Sequence, residues 1–152
     1  MTPVDLAYRK TAVEGASGFG LLVALFDTLA LNLQRAAEAD RANDLEKRGV
    51  EVNHALLVIA YLEDWVQSGP GGKLAEQLVG FYSNLRRSLV QAQVRRAPEL
   101  LETEMASVLQ IRGYWQQADL RAASSGPEVM PPMNGLSFAA MQSNSREGNW
   151  SV

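Results

Sequence analysis

Apolar residues recur at spacings of three and four along most of the chain from Leu21 to Trp115, and the cleanest run is Gly71 to Gln93. There Leu74, Leu78, Phe81, Leu85, Leu89 and Ala92 fall on one stripe of a helix with a period of about 3.6 residues. Lys73, Glu76, Gln77, Asn84, Arg87 and Gln91 fall on its other faces. One amphipathic helix cannot bury its stripe alone, so the pattern predicts partner helices.

The chain supplies them. A helix is predicted from about Leu21 to Ala39, with Leu22, Leu25, Phe26, Leu29, Leu33, Ala36 and Ala37 on a wide apolar face that Leu21 and Leu31 extend sideways. Ser17 is its expected N-cap, weakened by Gly18 and Gly20. A second helix runs to about Val66, capped by Asn43 with Glu46 three residues on. It carries two apolar faces, Leu45, Val52, Leu56, Ile59 and Leu62 on one, Val58, Tyr61 and Trp65 on the other. Ser68 to Gly72 is a turn, and the opening run follows it. Pro98 suits the first turn of a last helix, and Glu99 and Glu102 complement its dipole. Leu101, Met105, Val108, Leu109, Ile111 and Trp115 form its apolar face.

Short links between four helices favour antiparallel neighbours. The expected fold is all-α, an antiparallel up-and-down four-helix bundle over residues 17–122. Residues 1–16 read as an N-terminal arm with Leu6, Tyr8 and Val13 as apolar anchors. Residues 123–152 are rich in Ser, Gly, Pro and Asn without periodicity and read as a disordered tail.

Composition narrows the function. The 152 residues suit one domain, and 47% apolar content supports a packed core. A net charge of -3 argues against a nucleic-acid partner. With no cysteine, disulfides and thiol chemistry are excluded. The N-terminal residues lack a secretory pattern, and no apolar run approaches the roughly 20 residues that span a bilayer. A cytoplasmic protein without direct membrane insertion is expected.

Candidate chemistry is sparse. Glu51 and the sole histidine, His54, stand three apart, the ligand spacing of carboxylate-bridged metal sites in bundles. Such sites use two copies plus further inward glutamates, which this sequence does not supply. Gly69 to Lys73 is glycine-rich, but leucine follows the lysine and no strand precedes it, so it reads as a turn and not a phosphate loop. Arg86, Arg87, Arg95 and Arg96 form a basic cluster that suits a helix C-terminal end or an acidic partner. No catalytic triad assembles, so no enzyme activity, cofactor or metal is expected.

Taken in order, several residues resemble the flagellin export chaperone family (FliS-type) over roughly Ala7 to Gln117. Tyr8, Ala16-Ser17, Leu21 and Leu25-Phe26-Asp27 match its opening pattern, and Ala55, Val58-Ile59 and Leu62 its second helix. Gly71-Gly72, Leu74-Ala75, Leu78, Tyr82, Arg86-Arg87, Leu89 and Ala92 match most closely, and Trp115 stands where the last helix often carries tryptophan. Gly18 replaces a usual proline, Thr28 a common glycine, and Gln93 a frequent asparagine. Gln67 to Pro70 replaces a charged segment, and the tail is outside the pattern.

The resemblance implies a chaperone that wraps the C-terminal segment of flagellin around its bundle, prevents premature polymerisation, and delivers it to the export gate without using nucleotide. Helices with more than one apolar face are compatible with grooves for such a cargo. The candidate cargo contacts are Tyr8, Leu22, Phe26, Ile59, Leu62, Leu78, Tyr82, Leu85 and Leu89. Tyr82 stands out because a phenol hydroxyl favours a wet edge. Two alternatives are a metal-binding bundle using Glu51 and His54, and a bundle that self-associates through Trp65 and Val58 without cargo.

Overall fold

A computed structural model describes residues 18–125. The N-terminal arm, the Ser17 cap and the tail beyond Ser125 lie outside the described residues. Four helices follow in order: α1 (Gly18–Arg41), α2 (Leu45–Gln67), α3 (Lys73–Arg95) and α4 (Pro98–Ser125). Among the described residues there is no strand. The last helix continues past the boundary expected after Ala122.

The links explain the helix ends. Asn43 does not cap α2. It closes α1 in a left-handed conformation (φ 60°), and the amides of Asn43 and Asp44 donate back to the carbonyls of Asp40 and Ala39. This is a Schellman ending, and asparagine tolerates the left-handed region it needs. Asp44 is the N-cap of α2, its Oδ1 accepting from the Lys47 amide at 3.1 Å. The α3–α4 link repeats the device with an unusual residue. Arg96 takes φ 51°, and the amides of Arg96 and Ala97 donate to Gln93 and Ala92. Its guanidinium reaches across to Asn43 Oδ1 at 2.8 Å, tying the two links together. Between α2 and α3, Gly72 sits at φ 99°, ψ -174°, a region open essentially to glycine alone.

Neighbouring helices run antiparallel. Arg41, near the end of α1, pairs with Glu102 near the start of α4. Asp27 pairs with Arg112 at 2.8 Å, and Phe19 at the start of α1 stacks on Trp115. Glu63 of α2 accepts from Arg86 of α3. The backbone of α1 lies against α4 and α2, and α3 closes the ring by packing on α2 and α4. Diagonal helices meet only through side chains, as Phe26 and Tyr82 do with ring centroids 6.4 Å apart. This is the up-and-down four-helix bundle that the periodicity predicts.

The core runs the length of the ring. Leu25, Phe26, Leu29 and Leu33 of α1 meet Val52, Ile59 and Leu62 of α2, Tyr82, Leu85 and Leu89 of α3, and Leu101, Ile111 and Trp115 of α4. Burial of each such side chain contributes about 1.5–3 kcal/mol against chain entropy. Three expected face residues do not join it. Leu31, Leu45 and Leu109 are exposed at 41–44%. Leu45 is the first residue of α2, where the helix has only begun to pack, and Leu31 and Leu109 face outward.

One expectation about membranes is corrected. The 24 residues of α1 are long and apolar enough, by length and composition, to cross a bilayer. Half of its apolar window is buried inside the bundle, as befits a core helix.

Candidate functional site

Among the described residues, one end of the bundle is open. The first turn of α1, the last turns of α2, the glycine turn and the first turns of α3 meet there around a pocket of about 230 Å³. Phe19, Leu22, Leu62, Trp65, Leu74 and Leu78 supply most of its wall, with Tyr82 and Trp115 also lining it. The Gly69-Pro70-Gly71 turn forms part of the rim.

Local sequence builds each wall. Gly18 stands beside Trp65, where a Cβ would meet the indole ring at 3.4 Å in ordinary van der Waals contact. Phe19 then stacks on Trp115 with centroids 6.0 Å apart, and Tyr114 meets the same indole edge-on at 5.5 Å. Tyr82 lies against Phe26 and, edge-on at 5.7 Å, against Phe81. Gly71 at φ 77° and Gly72 at φ 99° turn the chain so that Leu74 and Leu78 face the opening.

The wall is apolar with two exceptions. The Tyr82 hydroxyl and the Trp115 Nε1 are buried and have no hydrogen-bond partner among the described residues. Burial raises the Tyr82 pKa well above the ordinary phenol value, and the charge of Glu63 raises it further. The phenol is therefore neutral and a hydrogen-bond donor throughout the physiological range.

The expected contact residues divide. Leu22, Leu62, Leu78 and Tyr82 line the pocket together. Phe26, Ile59, Leu85 and Leu89 lie in the core below it and present no surface. Tyr8 lies outside the described residues. The wet edge expected for Tyr82 is absent, because α3 packs between α2 and α4 and buries a face wide enough to hold both Phe81 and Tyr82. Sequence reasoning passed over Phe19, Trp65, Val66, Leu74 and Trp115 as contacts. The second apolar face of α2, which ends in Trp65, was the available signal.

The remaining candidates recede. Among the described residues, no group of three or more His, Asp or Glu is placed to hold a metal ion. Glu51 is buried and His54 only half-buried, so the two are not presented alike. Arg86 is committed to Glu63, and Arg96 to Asn43. Val58 is fully buried, which removes it from any self-association surface. Exposed Lys73 simply opens α3.

Comparison with known families decides the kinship. The family described as flagellar protein FliS matches residues 2–122. The chain belongs to the FliS family. The matched span contains every residue that lines the pocket and also Tyr8. It ends before Ser125, so the tail lies beyond the FliS match. No curated protein matches the chain. FliS membership agrees with the export chaperone resemblance read over roughly Ala7 to Gln117 and supports a flagellar chaperone role.

Proposed function

We propose that this FliS-family protein is a cytoplasmic export chaperone that binds the C-terminal segment of flagellin. It keeps that segment from polymerising before export and helps deliver it to the export-gate component of the flagellar secretion apparatus. Family membership over residues 2–122 carries the reading. The open apolar pocket supports it, since a soluble bundle leaves such a cleft uncovered where a partner fills it. Leu22, Leu62, Leu78 and Tyr82 are its cargo contacts in the pocket, and Tyr8 is a further cargo contact. Phe26, Ile59, Leu85 and Leu89 act from beneath, setting the position of that wall. Residues 17–122 are the working bundle. The role is binding and needs no cofactor or catalysis.

Cargo that orders on binding loses conformational entropy, so useful affinity requires extensive apolar burial. Calorimetric titration with a peptide covering the C-terminal segment of the host's flagellin tests this. Saturable one-to-one binding with a negative heat-capacity change is expected. Absence of binding at any accessible concentration would leave only the fold in common with the family.

A further inference from the structure

The chain leaves the bundle at the pocket end. α4 runs from the Arg41–Glu102 pair to Trp115, which lines the pocket, and continues to Ser125. At a helical rise of about 1.5 Å per residue, the tail begins roughly 15 Å beyond that wall. Twelve residues separate Ser125 from Phe138, and a stretch of that length reaches up to about 40 Å. The tail can therefore return to the pocket with chain to spare. Its composition also matches the wall. No side chain lining the pocket is charged, and residues 129–145 carry no charge either. Within them Leu136, Phe138 and Met141 stand close together, and three of the chain's five methionines, Met130, Met133 and Met141, fall in this stretch. Methionine adapts to irregular apolar gaps, and its sulfur is favoured against aromatic rings. Phe19 and Trp65 supply such rings as half-buried, accessible walls. The N-terminal arm fits less well, since it carries Asp5, Arg9, Lys10 and Glu14 and offers only Gly15, Ala16 and Ser17 next to Gly18.

We propose that the chain's own C-terminal tail is the resident ligand of the pocket: without cargo the segment from Leu136 to Met141 docks there, inserting Leu136 and Phe138, and cargo has to displace it. The competition rests on the cargo-binding reading above; the docking itself does not. The pocket size agrees. At about 230 Å³ it lies below the roughly 300–1,000 Å³ of small-molecule sites and suits one or two side chains. A short tether holds its segment at a millimolar effective concentration. A segment that binds only weakly as a free peptide therefore fills the pocket most of the time. Apparent cargo affinity then falls in proportion to the fraction of pockets left open. A pocket open about a tenth to a third of the time weakens cargo binding about 3- to 10-fold. Such a latch covers the apolar wall in the free protein and yields to a longer cargo segment, which buries more apolar surface.

The test uses the full chain. It has no cysteine, so Ser143→Cys places a single nitroxide just beyond Met141. In a ¹⁵N–¹H spectrum the nitroxide is expected to remove most of the intensity of the Trp65 indole resonance, which Trp65→Phe assigns. The amides of Asn43 and Arg96, at the other end of the bundle, should keep theirs. Leu136→Ser combined with Phe138→Ser leaves the bundle untouched and is expected to restore the Trp65 resonance. The same pair is expected to lower the Kd for the flagellin C-terminal peptide about 3- to 10-fold. An unbroadened Trp65 indole would overturn the proposal, and so would broadening that the two serines leave in place. Broadening carried from spin-labelled ¹⁴N molecules to unlabelled ¹⁵N molecules would give the pocket to a second copy's tail and overturn it too. A Trp65 resonance that moves with Val13→Ser and not with the tail variant would give the pocket to the N-terminal arm instead. Broadening with an unchanged Kd would refute the competition. A peptide that binds neither wild type nor the tail variant removes the cargo reading, and the docked tail then stands or falls on Trp65 alone.

Discussion

Replacing Asp40 with alanine is expected to destabilise the bundle by about 3–5 kcal/mol, the typical cost of removing one partner from a buried ion pair. Asp40 Oδ2 accepts from Arg48 Nη1 at 2.7 Å, and the two side chains are 4% and 11% exposed. The pair joins the last turn of α1 to the first turn of α2, just inside the link that Asn43 and Asp44 form. Arg48 Nε is already buried without a partner, so alanine at position 40 would strand the guanidinium in a low-dielectric site. The damage comes from the stranded charge more than from the lost bond. Asp40→Ala combined with Arg48→Met is therefore expected to recover most of the loss. Urea unfolding of the two single variants and the double variant measures this coupling. Additive losses would mean that Asp40 and Arg48 act independently.

Trp115→Ala has the second large effect, a loss of about 3–5 kcal/mol for an aromatic truncated in a core. Trp115 is fully buried, stacked on Phe19 and met edge-on by Tyr114. It ties the first turn of α1 to α4 at the open end of the bundle. Its loss removes packing and also a wall of the pocket, so cargo binding should fall with stability. Trp65, half-buried on the other side of the pocket, is the contrast: truncating it should cost much less stability. Circular dichroism in urea separates the two. Equal losses would show that Trp115 is no more structural than Trp65.

The stripe of α3 was legible because its residues keep a strict spacing. Leu78, Phe81, Leu85, Leu89 and Ala92 are all buried, and Leu74 is half-buried only because it reaches the pocket. The fold class followed from four such stripes joined by short polar links. The cap of α2 was not legible, since Asn43 and Asp44 are adjacent and both favour helix ends. Only the left-handed conformation of Asn43 assigns one to closing α1 and the other to opening α2. Tyr82 was misplaced for a related reason. Periodicity marks the centre of an apolar face but not its width, and α3 buries a wide one. The pocket draws on the ends of three helices and on Trp115 of the fourth, residues far apart in sequence. The stripes predicted that those residues are apolar, and the packing of the ring brings them to one opening. Whether their polar atoms find partners depends on tertiary geometry that periodicity does not carry.

Hydrogen exchange of the full chain with and without the flagellin C-terminal peptide tests the central claim most directly. The account predicts new protection concentrated at the pocket end, in Gly18–Leu22 and in the segment from Trp65 through the glycine turn to Leu78. The opposite end, around Asn43 and Arg96, should exchange as before. Protection confined to that opposite end, with the glycine turn unchanged, would contradict it.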